Sequence, residues 1–154
     1  MEDTTDVRVR AALPGDHARI VAVCDAWWER PVSHILPRLF LDHFHTTSLV
    51  AESDGELAGF LVGFHSPSAP EEAYVHFAGV APAQRRTGLA SRLYRRFTEA
   101  ARAEGRTVVR AITSPANERS IAFHRALGFR VTGPHTDYEG PGADRMVFTL
   151  SLAE

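Results

Sequence analysis

The chain has 154 residues, 44% of them hydrophobic, and a formal charge of −2. That size supports one domain with a core of its own, and the slight acidity argues against a dedicated nucleic-acid binder. No apolar run reaches the length a bilayer requires, and a lone cysteine, Cys24, excludes an internal disulfide.

The N-terminus, MEDTTDVRVR, is polar and carries no apolar signal core, so a cytoplasmic location is expected. Residues 7–12 alternate apolar and charged, as a half-exposed strand does. Pro14-Gly15-Asp16 breaks that strand, offers Asp16 as an N-cap, and opens a helix over 17–29. A second helix is expected over 33–44, where Ile35, Leu36, Leu39 and Phe40 follow helical spacing. SLVAES and ELAGFLVGF then read as two strands joined by Asp54-Gly55, a tight-hairpin signal. A loop at 66–72 leads to a strand at 73–80 and then to a helix in which Leu89, Leu93, Phe97 and Ala100 form the apolar stripe. Gly105 closes that helix, 107–113 is a strand, and Asn117 caps a short helix ending at Leu127-Gly128. Strands at 129–134 and 145–151 flank a loop at 135–144. The order β α α β β β α β α β β fits an α/β (α+β) sheet with helices on its faces, and the whole chain, 1–154, is read as a single domain.

The chemistry concentrates at VAPAQRRTGLA, residues 80–90, where a strand becomes a helix. The first amides of a helix have no intrahelical partner and carry partial positive charge. Gly88 at that start lets an anion approach the backbone without meeting a Cβ, Ala90 keeps the approach open, and Arg85 and Arg86 add charge. A phosphate or pyrophosphate suits such a site. The segment is neither GxGxxG nor the lysine-bearing GxxxxGK[ST] loop, since the chain contains no lysine.

Arg85-Arg86-Thr87-Gly88-Leu89-Ala90 resembles the R/Q-x-x-G-x-G/A signature of the GNAT N-acetyltransferases. Val80-Ala81-Pro82 looks like the turn that leads into that signature. Asn117 with Phe123-His124-Arg125-Ala126-Leu127-Gly128-Phe129 is similar to the family's N-x6-Y-x3-GF element. The resemblance implies a mixed, mostly antiparallel sheet of about six or seven strands, splayed between the fourth and fifth (73–80 and 107–113), with about four flanking helices. It implies acetyl-CoA as co-substrate and no metal. The amides of Arg85, Arg86, Thr87, Gly88, Leu89 and Ala90 would hold the pyrophosphate. The main chain at Ala78, Gly79 and Val80 would pair with the pantetheine arm, and Asn117 would reach that arm as well as cap its helix.

Where the family places a tyrosine as the acid for the departing thiolate, this chain has His124. Histidine can donate a proton at a different pH, so the acid role is assigned to His124. Strand alternation groups Tyr74, His76 and Ala78 on one face and Val75 and Phe77 on the other, which aims His76 at the amine as general base. The family builds its acceptor site from the first two helices and the last hairpin. That makes Trp28, Tyr74, Asp137 and Tyr138 the expected substrate residues, with Arg145 facing a substrate carboxylate, Asp144 or Glu139. The implied acceptor is a small-molecule amine, with neither nucleic acid nor membrane as partner; a homodimer is compatible with the sequence.

Three rival readings stand beside this one. A coenzyme A-binding sensor without turnover would explain the missing tyrosine. A metal site built on His43 and His45 beside Asp42 is disfavoured, since alternate histidines at a helix end face different ways and no further ligand lies at suitable spacing. RNA contact through the arginine-rich helix conflicts with the overall acidity.

Overall fold

Asp54 and Gly55 take φ of 53° and 81°, the paired left-handed values of a tight hairpin turn, and so set the two strands that flank them against each other. The structure is a computed structural model describing residues 6–152; the first five and last two residues of the expected domain lie outside the described residues. Its elements are β1 (Arg8–Ala11), α1 (Asp16–Trp28), α2 (Leu39–Phe44), β2 (Leu49–Ser53), β3 (Glu56–His65), β4 (Glu72–Val80), α3 (Leu89–Ala103), β5 (Val108–Thr113), α4 (Glu118–Ala126), β6 (Arg130–His135) and β7 (Arg145–Ser151). The seven strands among the described residues run in the order β1-β2-β3-β4-β5-β7-β6. The chain divides into two compact units, one through Phe64 together with His76–Glu99, the other His65–Val75 with Ala100 onward. Among the described residues no helix is long and apolar enough to cross a membrane.

In the first unit β1, β2 and β3 are antiparallel neighbours. Ile20, Cys24 and Trp27 of α1, with Leu41 of α2, pack on Val50, Phe60, Val62 and Phe77 to form its core. Full burial of a large apolar side chain stabilises by roughly 1.5–3 kcal/mol, so this cluster anchors the N-terminal helices to the sheet. Two expectations fail here. The helix foreseen over 33–44 is interrupted: Ser33–Ile35 form a 3-10 turn and α2 starts only at Leu39. Pro37 is the cause, for its ring disfavours helical geometry in the preceding residue, and Leu36 takes φ −117° and ψ 79°. Nor is Asp16 the cap of α1. Gly15 holds that position, while the buried Asp16 carboxylate accepts the Leu13 N–H at 2.8 Å and pairs with Arg10 at 2.9 Å. Burial pushes the Asp16 pKa up, but these hydrogen bonds outweigh it and hold the carboxyl below its usual range.

In the second unit β5 and β7 pair antiparallel from Val108↔Ser151 to Thr113↔Met146. β6 forms the sheet edge, and its register shifts between Thr132 and His135, where Pro134 has no N–H to offer a ladder. The parallel partners of β4 and β5 are Glu72↔Val108, Ala73↔Val109 and Tyr74↔Arg110. The Arg106 guanidinium fastens the preceding loop by donating to the carbonyls of Ser66 at 2.9 Å and Pro70 at 2.8 Å. Along α3 the buried stripe is Leu89, Leu93, Phe97 and Ala101 rather than Ala100, since steps of four keep one face.

Candidate active site

β4 ends at Val80 and the chain turns through a single 3-10 turn, Pro82–Gln84, before α3. Arg85 is extended, Arg86 takes φ 67° and Gly88 takes φ 87°. A left-handed residue directly ahead of the helix is what glycine supplies at no steric cost, and a Cβ built at Gly88 would meet nothing within 4 Å. The first bond along the helix runs from Arg92 N–H to the Gly88 carbonyl, at 3.0 Å. The amides of Leu89, Ala90 and Ser91 therefore precede the ladder at the positive end of a 15-residue helix. Arg86, Thr87 and Gly88 are exposed beside them. The junction is thus open, positive and lined with amides, the chemistry a diphosphate requires.

The Arg85 side chain does more than add charge. One of its nitrogens donates to the Trp27 carbonyl at 2.6 Å, tying this loop to the C-terminus of α1. Beyond that carbonyl, the Trp28 indole stacks on Phe77 with centroids 4.8 Å apart and lies against the main chain at Gly79.

Burial along β4 alternates as expected, with Ala73, Val75 and Phe77 buried and Tyr74, His76 and Ala78 half-buried. His76 and Phe77 both touch the segment that runs from α1 to α2. The His76 ring stacks on Phe40 at 3.9 Å and its Nε2–H donates to the Ile35 carbonyl at 2.7 Å, while Phe77 packs on Trp28 and Phe60. Gly79 then follows Phe77 onto the α1 side. Val80 lies toward α3, its Cγ1 3.1 Å from where a Gly59 Cβ would be, with Leu89 Cδ2 3.3 Å from the same point. Ala78, alternating with Gly79, goes with Val80.

In the second unit Asn117 caps α4, its Oδ1 accepting the Ser120 N–H at 3.2 Å and its Nδ2 donating to Thr113 Oγ1 at 3.1 Å. His124 is buried, stacked on Phe148 at 3.9 Å and set edge-on to Phe129 at 5.0 Å. Its Nδ1–H donates to the Ser120 carbonyl at 2.7 Å. Burial drives its pKa down to about 4, against a smaller upward effect of that bond, so the ring is neutral at physiological pH.

Tyr74 sits near Tyr138, Glu139 and Glu72; burial pushes its phenol up to about 12 and these neighbours add to the rise. Glu72 is paired with Arg110 at 3.0 Å. Asp137 orders its own loop, its carboxylate accepting the Gly142 N–H at 2.8 Å, and Tyr138 is exposed. Of the partners considered for Arg145, the structure selects Glu139, at 3.0 Å, with a second bond to the Asp144 carbonyl at 2.7 Å. Cys24 is buried in the core, which raises its thiol pKa and suits no nucleophile. Asp42 is paired with Arg38, and the described residues contain no cluster of three or more His, Cys, Asp or Glu able to hold a metal ion.

The sequence reading missed the Trp28–Gly79 contact and the Arg85–Trp27 bond. Adjacent tryptophans at a helix end, and a glycine inside a strand, were the available signals; a strand glycine often marks a close approach by another group.

The profile of the acetyltransferase (GNAT) family matches residues 18–129, and the chain belongs to that family. An L-2,4-diaminobutyric acid acetyltransferase of Nocardia farcinica is 32% identical over 92 residues, covering 60% of this chain and 48% of that protein. The chain thus spans about half the length of the curated relatives it matches. Ard1 from Thermoplasma volcanium superposes with a TM-score of 0.80 at 21% identity over 97% of this chain and 99% of that one. Diaminobutyrate acetyltransferase from Paenibacillus lautus, solved with L-2,4-diaminobutyric acid and coenzyme A, gives 0.74 at 23% identity over 94% of each chain. Both structures show that the fold is shared.

Proposed function

We propose that this chain is an acetyl-CoA-dependent N-acetyltransferase that passes the acetyl group directly to a small-molecule primary amine in a ternary complex. The observation that carries the reading is the open, amide-lined start of α3 behind a left-handed Gly88. The family match runs through both compact units, which supports treating the chain as one catalytic domain. Relatives named for L-2,4-diaminobutyric acid support an acceptor of the diamino-acid class. The single cysteine, buried and unpaired, supports a cytoplasmic location.

In this reading the amides of Arg86, Gly88, Leu89 and Ala90 hold the diphosphate, those of Arg85 and Thr87 being already given to the Pro82 and Gln84 carbonyls at 3.2 and 3.3 Å, and the main chain at Ala78–Val80 pairs with the pantetheine arm. An amide at Ala78 or Gly79 donates to the thioester oxygen as it becomes anionic. His76 is the base, taking the ammonium proton directly or through water, and its Nε2–H donates to the Ile35 carbonyl. The amine nitrogen attacks the carbonyl carbon to form the N–C bond, the adduct's nitrogen gives its second proton to water, the C–S bond breaks, and the thiolate leaves with the electron pair. We infer that His124 positions α4 instead of acting as acid. Its neutral ring, with the proton held by the Ser120 carbonyl, supports this assignment. A thiol ionises near pH 8.5, so a thiolate can depart and take its proton from water.

The absence of a protonated side chain at His124 favours, as second reading, a coenzyme A sensor without turnover. Incubation with acetyl-CoA and a panel of amines that includes L-2,4-diaminobutyric acid, with release of free thiol followed, separates the two. Thiol release that depends on one amine is expected. Cofactor binding without thiol release from any amine would establish the sensor.

A further inference from the structure

We propose that Trp28 limits the length of the acyl chain that the donor can carry. The proposal rests on the reading that the pantetheine arm and its thioester lie along Ala78–Val80. Gly79 is the residue of that stretch with no side chain, and its missing Cβ is replaced by the Trp28 indole. A Cβ built there would overlap Cη2 and lie 2.9 Å from Cζ3 and 3.1 Å from Cζ2. The six-membered part of the indole therefore covers the strand at the position where the thioester carbonyl is to be bound.

The ring is held there from several sides. It stacks on Phe77 at 4.8 Å and 26°, and meets Phe60 at 6.1 Å. The end of α1 that carries it is clamped as well. Glu29 closes the helix in the left-handed conformation, Asp25 Oδ1 accepts the Val32 and Ser33 N–H groups at 2.7 and 2.8 Å, and Arg85 donates to the Trp27 carbonyl at 2.6 Å. An aromatic wall fixed by stacking and by a clamped backbone does not swing aside at small cost, because packed interiors resist the gain of even one methylene. A methyl group beyond the carbonyl is accommodated; a longer chain on this side of β4 meets the indole face. Arg85, at the mouth of the diphosphate loop, joins the loop that holds the cofactor to the helix end that measures its acyl group.

The test is calorimetric titration of the intact protein with coenzyme A, acetyl-, propionyl- and butyryl-CoA, which needs no acceptor. The wild type is expected to lose about tenfold in affinity per added methylene beyond acetyl. Trp28→Ala and the milder Trp28→Leu should shrink the butyryl penalty to within about threefold while binding coenzyme A itself nearly as before. Gly79→Ala should weaken binding in the wild type yet be tolerated in the Trp28→Ala background, a coupling that only direct contact produces. Equal affinity of the wild type for all three acyl-CoAs, or an undiminished butyryl penalty in folded Trp28→Leu, overturns the gate alone. Failure of the wild type to bind coenzyme A overturns the acetyltransferase reading and the gate with it.

Discussion

The strand-to-helix junction at 76–90 and the capped helix at 117–129 carry the two motifs that mark this family, yet their groups are deployed in opposite ways. At the junction Arg86, Thr87 and Gly88 are exposed, and the first amides of α3 precede its hydrogen-bond ladder. At α4 both polar ends of Asn117 are engaged within the fold, and His124 is buried between Phe148 and Phe129 with its proton held by Ser120. One motif leaves its polar groups exposed and the other spends them inside the fold. Two histidines that look alike in the chain, His76 and His124, differ in what surrounds them, and the roles proposed for them follow from that difference.

Mutations at the junction should cost function more than stability, and mutations at α4 the reverse. Gly88→Glu should have the largest effect, a loss of coenzyme A affinity of roughly a thousandfold or more by calorimetry. It places a carboxylate at the anion site and a side chain at φ 87°. His76→Ala should lower kcat/KM about a hundredfold with cofactor affinity nearly unchanged, the size of a lost general base. If His124→Phe instead gave the larger loss of turnover, the contrast between the two regions would be reversed.

The third measurement is stability against pH. The His124 pKa falls from 6.5 in the unfolded chain to about 4 in the folded one, so the unfolded state binds the extra proton first as pH drops. Stability due to this group is complete above pH 6.5 and is lost as pH falls toward 4, on the order of 3 kcal/mol in all. Denaturant titrations from pH 7 to 4 should show that slope in the wild type and a flatter one in His124→Phe. Below about pH 4 a further loss is expected in both proteins, because Asp16, Asp25 and Glu52 all have lowered pKa values. The smallest effect is that of Asn117→Ala, about 1 kcal/mol in thermal unfolding for a lost cap, with little change in cofactor binding. A large rise in the coenzyme A Kd for this variant would give Asn117 a ligand contact as well.

Much of the fold was legible in short stretches. Asp54-Gly55 dictated its hairpin, β7 occupies the expected 145–151, and Asn117 caps the expected helix. The helix break at Pro37 was equally local and was overlooked because the apolar spacing of Ile35 to Phe40 continues across it. Asp16 read as a cap because the rule for capping sees only neighbours. Its true partners, Arg10 and Glu52-bound Arg19, come from β1, β2 and α1 together.

What the sequence determined by itself is what depends on residues within a few positions of one another: the strand and helix periods, the turns, the caps, and the glycine that opens α3. Only the tertiary structure decided that His76 stacks on Phe40, that Trp28 fills the place of a side chain at Gly79, and that His124 is buried and neutral. Each of these depends on groups far apart in the chain, and both packing and proton affinity are set by whatever the fold brings alongside.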